Sequence, residues 1–352
     1  MSRATSVSLP LSIRAQRAFG RVAGRLPDSV LAAVGTRTRV NRDGDRLAPE
    51  MALVGRISQY VPYYDVSRGT LENSRRRIDL SAASFGPRFE PFAVEEDLVI
   101  PGPAGPIPAT RYRAKVASRG LVLFFHGGGW TVGSRASHDS LVRTLAIRTG
   151  ADVLSVDYRL APAAPFPAAA DDALAAWDFA VRTAPQWGLD PHRIVVAGDS
   201  AGGNLATVIS QQVRDREVTP RLQVLIYPVV DLSTKRPSYH EFASGYYLDA
   251  RSMDFYTDSY VPDHSLRTDP RASPMLADSL AGLAPTYIVV AGFDPLRDEG
   301  IEYARRLEEA GNDVVLDRAG TLIHGFANLT LISPGARVAV DRIGEAIADS
   351  LA

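Results

Sequence analysis

The chain has 352 residues, 45% hydrophobic and 22% charged, a balance that suits a folded globular protein and excludes disordered and fibrous classes. Its 39 Lys and Arg against 40 Asp and Glu leave a net charge of -1, which argues against nucleic acid or an anionic surface as the main partner. There is no cysteine, so disulfide scaffolds, thiolate metal sites and cysteine nucleophiles are excluded.

The amino end departs from this average. Residues 1–40 hold seven arginines against the single Asp28, a local charge of +6, and the other residues sum to -7. Arg14, Arg17, Arg21 and Arg25 recur at three- and four-residue steps beside Leu11, Ala15, Phe19, Val22 and Leu26, which predicts an amphipathic helix stopped by Pro27. A basic helix of this kind can touch an anionic membrane weakly. Packing on its own domain with solvated arginines is the preferred reading, because Gly20 and Gly24 weaken the helix. The same arginines interrupt every candidate secretory segment, and no run of 18 apolar residues occurs, so the expectation is a soluble, cytoplasmic chain. A helix-like beginning over 49–61 and scattered apolar positions over 66–80 complete an N-terminal region of helices and loops, residues 1–90.

The texture changes in the region 91–352. Short apolar, β-branched runs at 98–100, 107–112, 121–125, 153–156, 193–197, 222–227, 287–290 and 314–316 predict strands. Between the later runs, 139–148, 171–182, 203–214, 298–310 and 336–351 read as helices. Strands alternating with helices mean an α/β fold, a mostly parallel sheet of eight strands with helices on both faces. The interval of about 231–279 interrupts the alternation and crowds Tyr239, Phe242, Tyr246, Tyr247, Phe255, Tyr256 and Tyr260 into 22 positions. It reads as an insertion that covers a site at the carboxyl ends of the strands and, in part, fills a small core of its own.

Two strand-end motifs carry chemistry. Gly198-Asp199-Ser200-Ala201-Gly202 follows the run 193–197 and opens a helix, the setting in which a tight turn presents a serine hydroxyl above the sheet. By composition alone such a pattern arises in about one chain in six, so its weight comes from that setting. His126-Gly127-Gly128-Gly129-Trp130 follows the run 121–125; without a G-K-[ST] ending it reads poorly as a phosphate loop and better as backbone N–H groups free to face an oxyanion. A serine nucleophile needs a base and an orienting carboxylate, which in this type of sheet follow the serine in chain order. Asp294 comes first after the run 287–290, with Asp298 as rival, and His324 follows the run 314–316. His138 reads as the start of a helix, His192 lies at the far end of the sheet, His240 and His264 fall in the insertion, and His126 holds its own loop.

In this order HGGGW, GDSAGG (198–203), DPLRDEG (294–300) and HGF (324–326) resemble the hormone-sensitive-lipase family of α/β-hydrolases, as does the stretch Asp157-Tyr158-Arg159-Leu160-Ala161-Pro162. The resemblance extends over about residues 49–352. It implies Ser200 as nucleophile, His324 as general acid and base, Asp294 as its orienter, and the N–H groups of Gly127, Gly128 and Ala201 as the oxyanion hole. It also implies a cap built from the N-terminal helices and the 231–279 insertion. Ala163 stands where the family commonly has Glu, which leaves Arg159 short of a usual partner. The expected activity is hydrolysis of a small-molecule ester of short to medium acyl length, without cofactor or metal. Trp130, Phe242, Tyr246, Tyr247 and Phe326 are the expected pocket walls. An amidase or deacetylase on the same triad and a non-catalytic receptor on the same fold are the alternatives, and the choice between monomer and homodimer is open.

Overall fold

The computed structural model describes residues 39–60, 70–85, 87 and 89–352. The basic segment 14–26 therefore lies outside the described residues. Two helices precede the sheet, α1 (Pro49–Tyr60) and α2 (Leu71–Phe85). The strands are β1 (Val94–Gly102), β2 (Gly105–Arg113), β3 (Leu121–Phe125), β4 (Asp152–Val156), β5 (Ile194–Asp199), β6 (Leu222–Ile226), β7 (Thr286–Phe293) and β8 (Val314–Ile323). They form one eight-stranded sheet in the order β1-β2-β4-β3-β5-β6-β7-β8. β1 pairs antiparallel with β2, and β2 with β4; every other neighbour is parallel.

The parallel strands β3 to β6 are buried along their whole length, as expected of strands covered on both faces. That is why their sequences are continuous apolar runs rather than alternating ones. On one face lie α4 (Ala168–Thr183), α5 (Ala201–Gln212) and α8 (Arg297–Glu309), whose Trp177, Leu205 and Tyr303 share a core with Leu123 and Val196. The other face is covered by α3 (Arg135–Thr149) and α9 (Pro334–Ser350), through Leu141, Leu145, Val340 and Ile343.

Several element boundaries differ from the sequence expectation, and two of them have a clear local cause. Helix α3 starts four residues early, because the Ser134 side chain accepts from the Ser137 N–H and the Ser137 hydroxyl accepts from the Ser134 N–H in a capping box. Strand β8 runs seven residues past its apolar start, since an edge strand tolerates polar side chains on its open side: Asp317, Arg318 and Thr321 are partly or fully exposed while Ala319, Leu322 and Ile323 are buried. Between β6 and β7 the insertion carries the short helix α6 (Pro237–Glu241) and α7 (Ala250–Tyr260). The Asn204 amide of α5 donates to the carbonyls of Val229 and Ala272, which ties both ends of that insertion to the helix beneath it.

Candidate active site

Ser200 stands between β5 and α5 with φ 55° and ψ -116°, a conformation that costs a non-glycine residue about 1–3 kcal/mol and must be held by its surroundings. The holding contacts are backbone ones. Ser200 N–H donates to Ile226 O at 2.8 Å, and its own carbonyl accepts from Asn204 N–H at 3.1 Å. The flanking glycines are required by close approach: a Cβ on Gly202 would sit 1.9 Å from Phe125 O, and one on Gly198 2.3 Å from the Gly202 carbonyl carbon.

The loops after β7 and β8 bring the other two side chains to this turn. His324 Nε2 lies 3.1 Å from Ser200 Oγ, and His324 Nδ1 lies 2.7 Å from Asp294 Oδ2. Asp294 is fully buried, and its second oxygen accepts the Leu296 N–H at 2.9 Å, so the carboxylate cannot swing away from the imidazole. Asp298 faces elsewhere. It accepts from Ser238 N–H at 2.8 Å and pairs with Arg297 and Arg42, holding α6 against α8.

The glycine loop after β3 divides the expected oxyanion donors. Gly127 N–H donates to Asp199 Oδ1 at 2.8 Å, so this group is already committed and does not face the site; the sequence expectation for Gly127 is corrected here. The N–H groups of Gly128, Gly129 and Ala201 have no acceptor among the described residues. Gly129 is the residue the sequence reading passed over, although its place as the third glycine of the run was the available signal. Gly128 and Gly129 adopt φ values of 114° and 58°, and Tyr256 packs so closely that a Cβ on Gly129 would fall 2.2 Å from its ring.

Beneath the loop lies a buried polar network. Asp199 Oδ1 is 3.0 Å from His138 Nε2, whose other nitrogen is 2.8 Å from Ser137 Oγ. Burial works to raise the Asp199 pKa, and His138 with the Gly127 N–H more than offsets it, leaving the carboxyl below its ordinary range. His138 is thus more than a helix-start residue: it faces inward and lines the cavity. His126 stacks on Tyr158 at 4.4 Å between ring centroids with Nδ1 2.8 Å from Gly127 O, and burial, with His138 next, pushes its pKa down to about 4. A histidine that stays neutral can anchor the loop without adding charge beside the site.

Ser200 and His324 open into a cavity of about 370 Å³. Its walls are largely apolar, with Val54 and Ile57 from α1, Ile78 from α2, Met253 from α7, and Leu329 and Ile332 from the loop before α9. Of the expected aromatic walls, Trp130 and Tyr247 line it, joined by Tyr256. Phe242, Tyr246 and Phe326 do not. Phe242 is buried against Tyr246 and Phe293 at 5.1 and 5.6 Å, and Phe326 is buried edge-on to Tyr227 at 5.1 Å, so these rings fill the core behind the site. Arg159 likewise departs from expectation: with Ala163 in the loop it pairs in a fork with the buried Asp172, at 2.7 Å from Nη2. Among the described residues no three His, Asp or Glu side chains gather as a metal site.

A serine on a strand-to-helix turn, a histidine and a buried aspartate on later loops of a mostly parallel sheet define an α/β-hydrolase. Residues 122–328 match the family model described as alpha/beta hydrolase fold. The chain is 46% identical to the carboxylic ester hydrolase LipN of Mycobacterium tuberculosis, over 71% of this chain and 69% of that one. It is 38% identical to the ethyl acetate hydrolase of Pseudomonas putida, over 80% and 90%. Among solved structures, the esterase of Pyrobaculum calidifontis superposes with a TM-score of 0.77 at 37% identity, covering 84% of this chain and 97% of that one. The chain belongs to the α/β-hydrolase family, in its hormone-sensitive-lipase-like branch.

Proposed function

We propose that this enzyme, a carboxylic-ester hydrolase by its family, works by acyl transfer through Ser200, with His324 as general base and acid and Asp294 as its orienter. The observation that carries the reading is the single imidazole within hydrogen-bonding distance of both the serine hydroxyl and a buried carboxylate. Ser200 Oγ attacks the ester carbonyl while its proton passes to His324 Nε2. The negative charge moves to the carbonyl oxygen, where the N–H groups of Gly128, Gly129 and Ala201 receive it. The C–O bond then breaks, and the proton on Nε2 leaves with the alcohol. Water repeats the cycle on the acyl-enzyme: its proton goes to Nε2, the acid departs, and Ser200 recovers the proton.

The cavity's size and apolar walls favour uncharged esters of short to medium acyl length. Residues of α1, α2 and the insertion act together as a cap over the serine. Ser200→Ala is expected to lower kcat for nitrophenyl butyrate by about 10⁴-fold or more with an unchanged circular dichroism spectrum and melting temperature. Undiminished turnover by this variant would overturn the assignment.

A further inference from the structure

The proposed oxyanion donors are backbone groups, and a peptide N–H can be aimed only by holding the carbonyl of the same rigid plane. The Gly129 N–H shares its plane with Gly128 O, which accepts from Thr131 N–H at 3.1 Å and Val132 N–H at 3.0 Å. The next carbonyl, Gly129 O, accepts from the Thr131 hydroxyl at 2.8 Å. Thr131 is therefore the hub of the loop. Its neighbour Trp130 is a non-glycine residue at φ 54°, a conformation that the loop cannot keep without outside support.

That support comes from a helix outside the α/β core. The guanidinium of Arg75, on α2, donates from Nε to Thr131 O at 2.9 Å and from Nη2 to Ala161 O at 2.9 Å. Ala161 N–H in turn donates to Trp130 O at 2.8 Å, so Arg75 closes a ring through α2, the glycine loop and the 157–162 loop. One turn further along α2, Asp79 accepts from the hydroxyl of Ser134, the residue that caps α3 just after the glycine loop. Arg75 has no carboxylate partner among the described residues, and its fork is spent on two main-chain carbonyls.

We propose that Arg75 is a positioning residue for the oxyanion loop, through which α2 holds Thr131, and with it the peptide plane that carries the Gly129 N–H, in the arrangement that receives the oxyanion. The inference rests on the acyl-transfer reading above. It extends that reading by making the helix preceding the sheet a determinant of transition-state binding as well as a wall of the cavity.

The test compares wild type, Arg75→Met and Arg75→Lys with nitrophenyl butyrate, a trifluoromethyl ketone that adds to the serine as an oxyanion, and the matching methyl ketone as its ground-state counterpart. Displacing a reacting group by about 1 Å costs on the order of 100-fold, so Arg75→Met should lose roughly 10- to 100-fold in kcat with a much smaller change in KM. Its trifluoromethyl ketone affinity should fall by the same factor while the methyl ketone binds as before. Lysine keeps the charge but cannot span two carbonyls, so Arg75→Lys should stay nearer the Met variant than wild type. If Arg75→Met fails to fold, Arg75→Lys decides by the same readouts. Wild-type kcat and trifluoromethyl ketone affinity in the folded variants, or equal loss of both ketones, would overturn the proposal. Failure of the acyl-transfer reading is seen separately, as a wild-type enzyme that neither hydrolyses the ester nor takes up the trifluoromethyl ketone.

Discussion

Glu299 is buried on the first turn of α8, where Oε1 accepts the Val230 N–H at 2.8 Å and so holds the chain as it leaves β6 for the insertion. Burial raises its pKa from 4.5 to about 8, with the Val230 hydrogen bond and Arg236 lowering it and Asp231 raising it. A carboxyl whose pKa is higher when folded binds its proton more tightly in the native state. Its stabilising contribution is complete below the unfolded value near 4.5 and is lost as pH rises towards about 8. Glu299→Gln keeps an oxygen for Val230 and removes the titration. The melting temperature of wild type should therefore fall relative to Glu299→Gln between pH 5 and 8, by at least about 1–2 °C, the shift that roughly 1 kcal/mol makes at an unfolding entropy of about 2 cal/mol/K per residue. Parallel melting curves at both pH values would refute it. The motif DPLRDEG pointed to this stretch, but only burial separates the roles of its acids: Asp294 faces His324, Asp298 faces α6, and Glu299 faces Val230.

At the scale of elements, local chemistry made the nucleophile turn legible and left the aromatic insertion ambiguous. Glycines at 198 and 202 are demanded by backbone atoms under 3 Å from where a Cβ would be, a constraint that appears in sequence as a motif. The rings of 239–260 carry no such mark. Aromatic rings serve as cavity wall at Tyr247 and Tyr256 and as buried core at Phe242, because the face each ring presents depends on how the insertion folds back over β7. Phe242→Ala is thus expected to cost about 3–5 kcal/mol in urea unfolding while leaving the order of preference among nitrophenyl esters unchanged. A changed acyl-length profile at unchanged stability would return Phe242 to the pocket.

Across the whole molecule, the net charge of -1 resolves into ion pairs that join distant segments. Asp152, fully buried at the start of β4, receives Arg111 at 2.6 Å and Arg113 at 2.7 Å from β2, which clamps the antiparallel edge to the parallel sheet. Removing one partner of a buried pair leaves the other charge uncompensated, so Asp152→Ala should lose about 3–5 kcal/mol of unfolding free energy, measured by denaturant titration at neutral pH. Arg159 with Asp172 shows the same economy: a carboxylate one helix away takes the place of the local glutamate that the loop lacks. Among the described residues no helix is long and apolar enough to cross a membrane.

Short-range physics made much of this protein readable from its residues. Continuous apolar runs marked strands buried on both faces, and the order of the HGGGW, GDSAGG, DPLRDEG and HGF motifs identified the family before any contact was known. Those features are local because steric and hydrogen-bond demands at a tight turn act within a few residues. What only the tertiary structure decided were contacts between residues 13 to 86 positions apart: the capture of Gly127 N–H by Asp199, which shifts the open donors to Gly128 and Gly129; the inward turn of His138; the partner of Arg159; and the fork of Arg75 on Thr131 and Ala161. Each depends on which loops the sheet order β4-β3-β5 places side by side, and a residue's spacing along the chain carries no record of that adjacency.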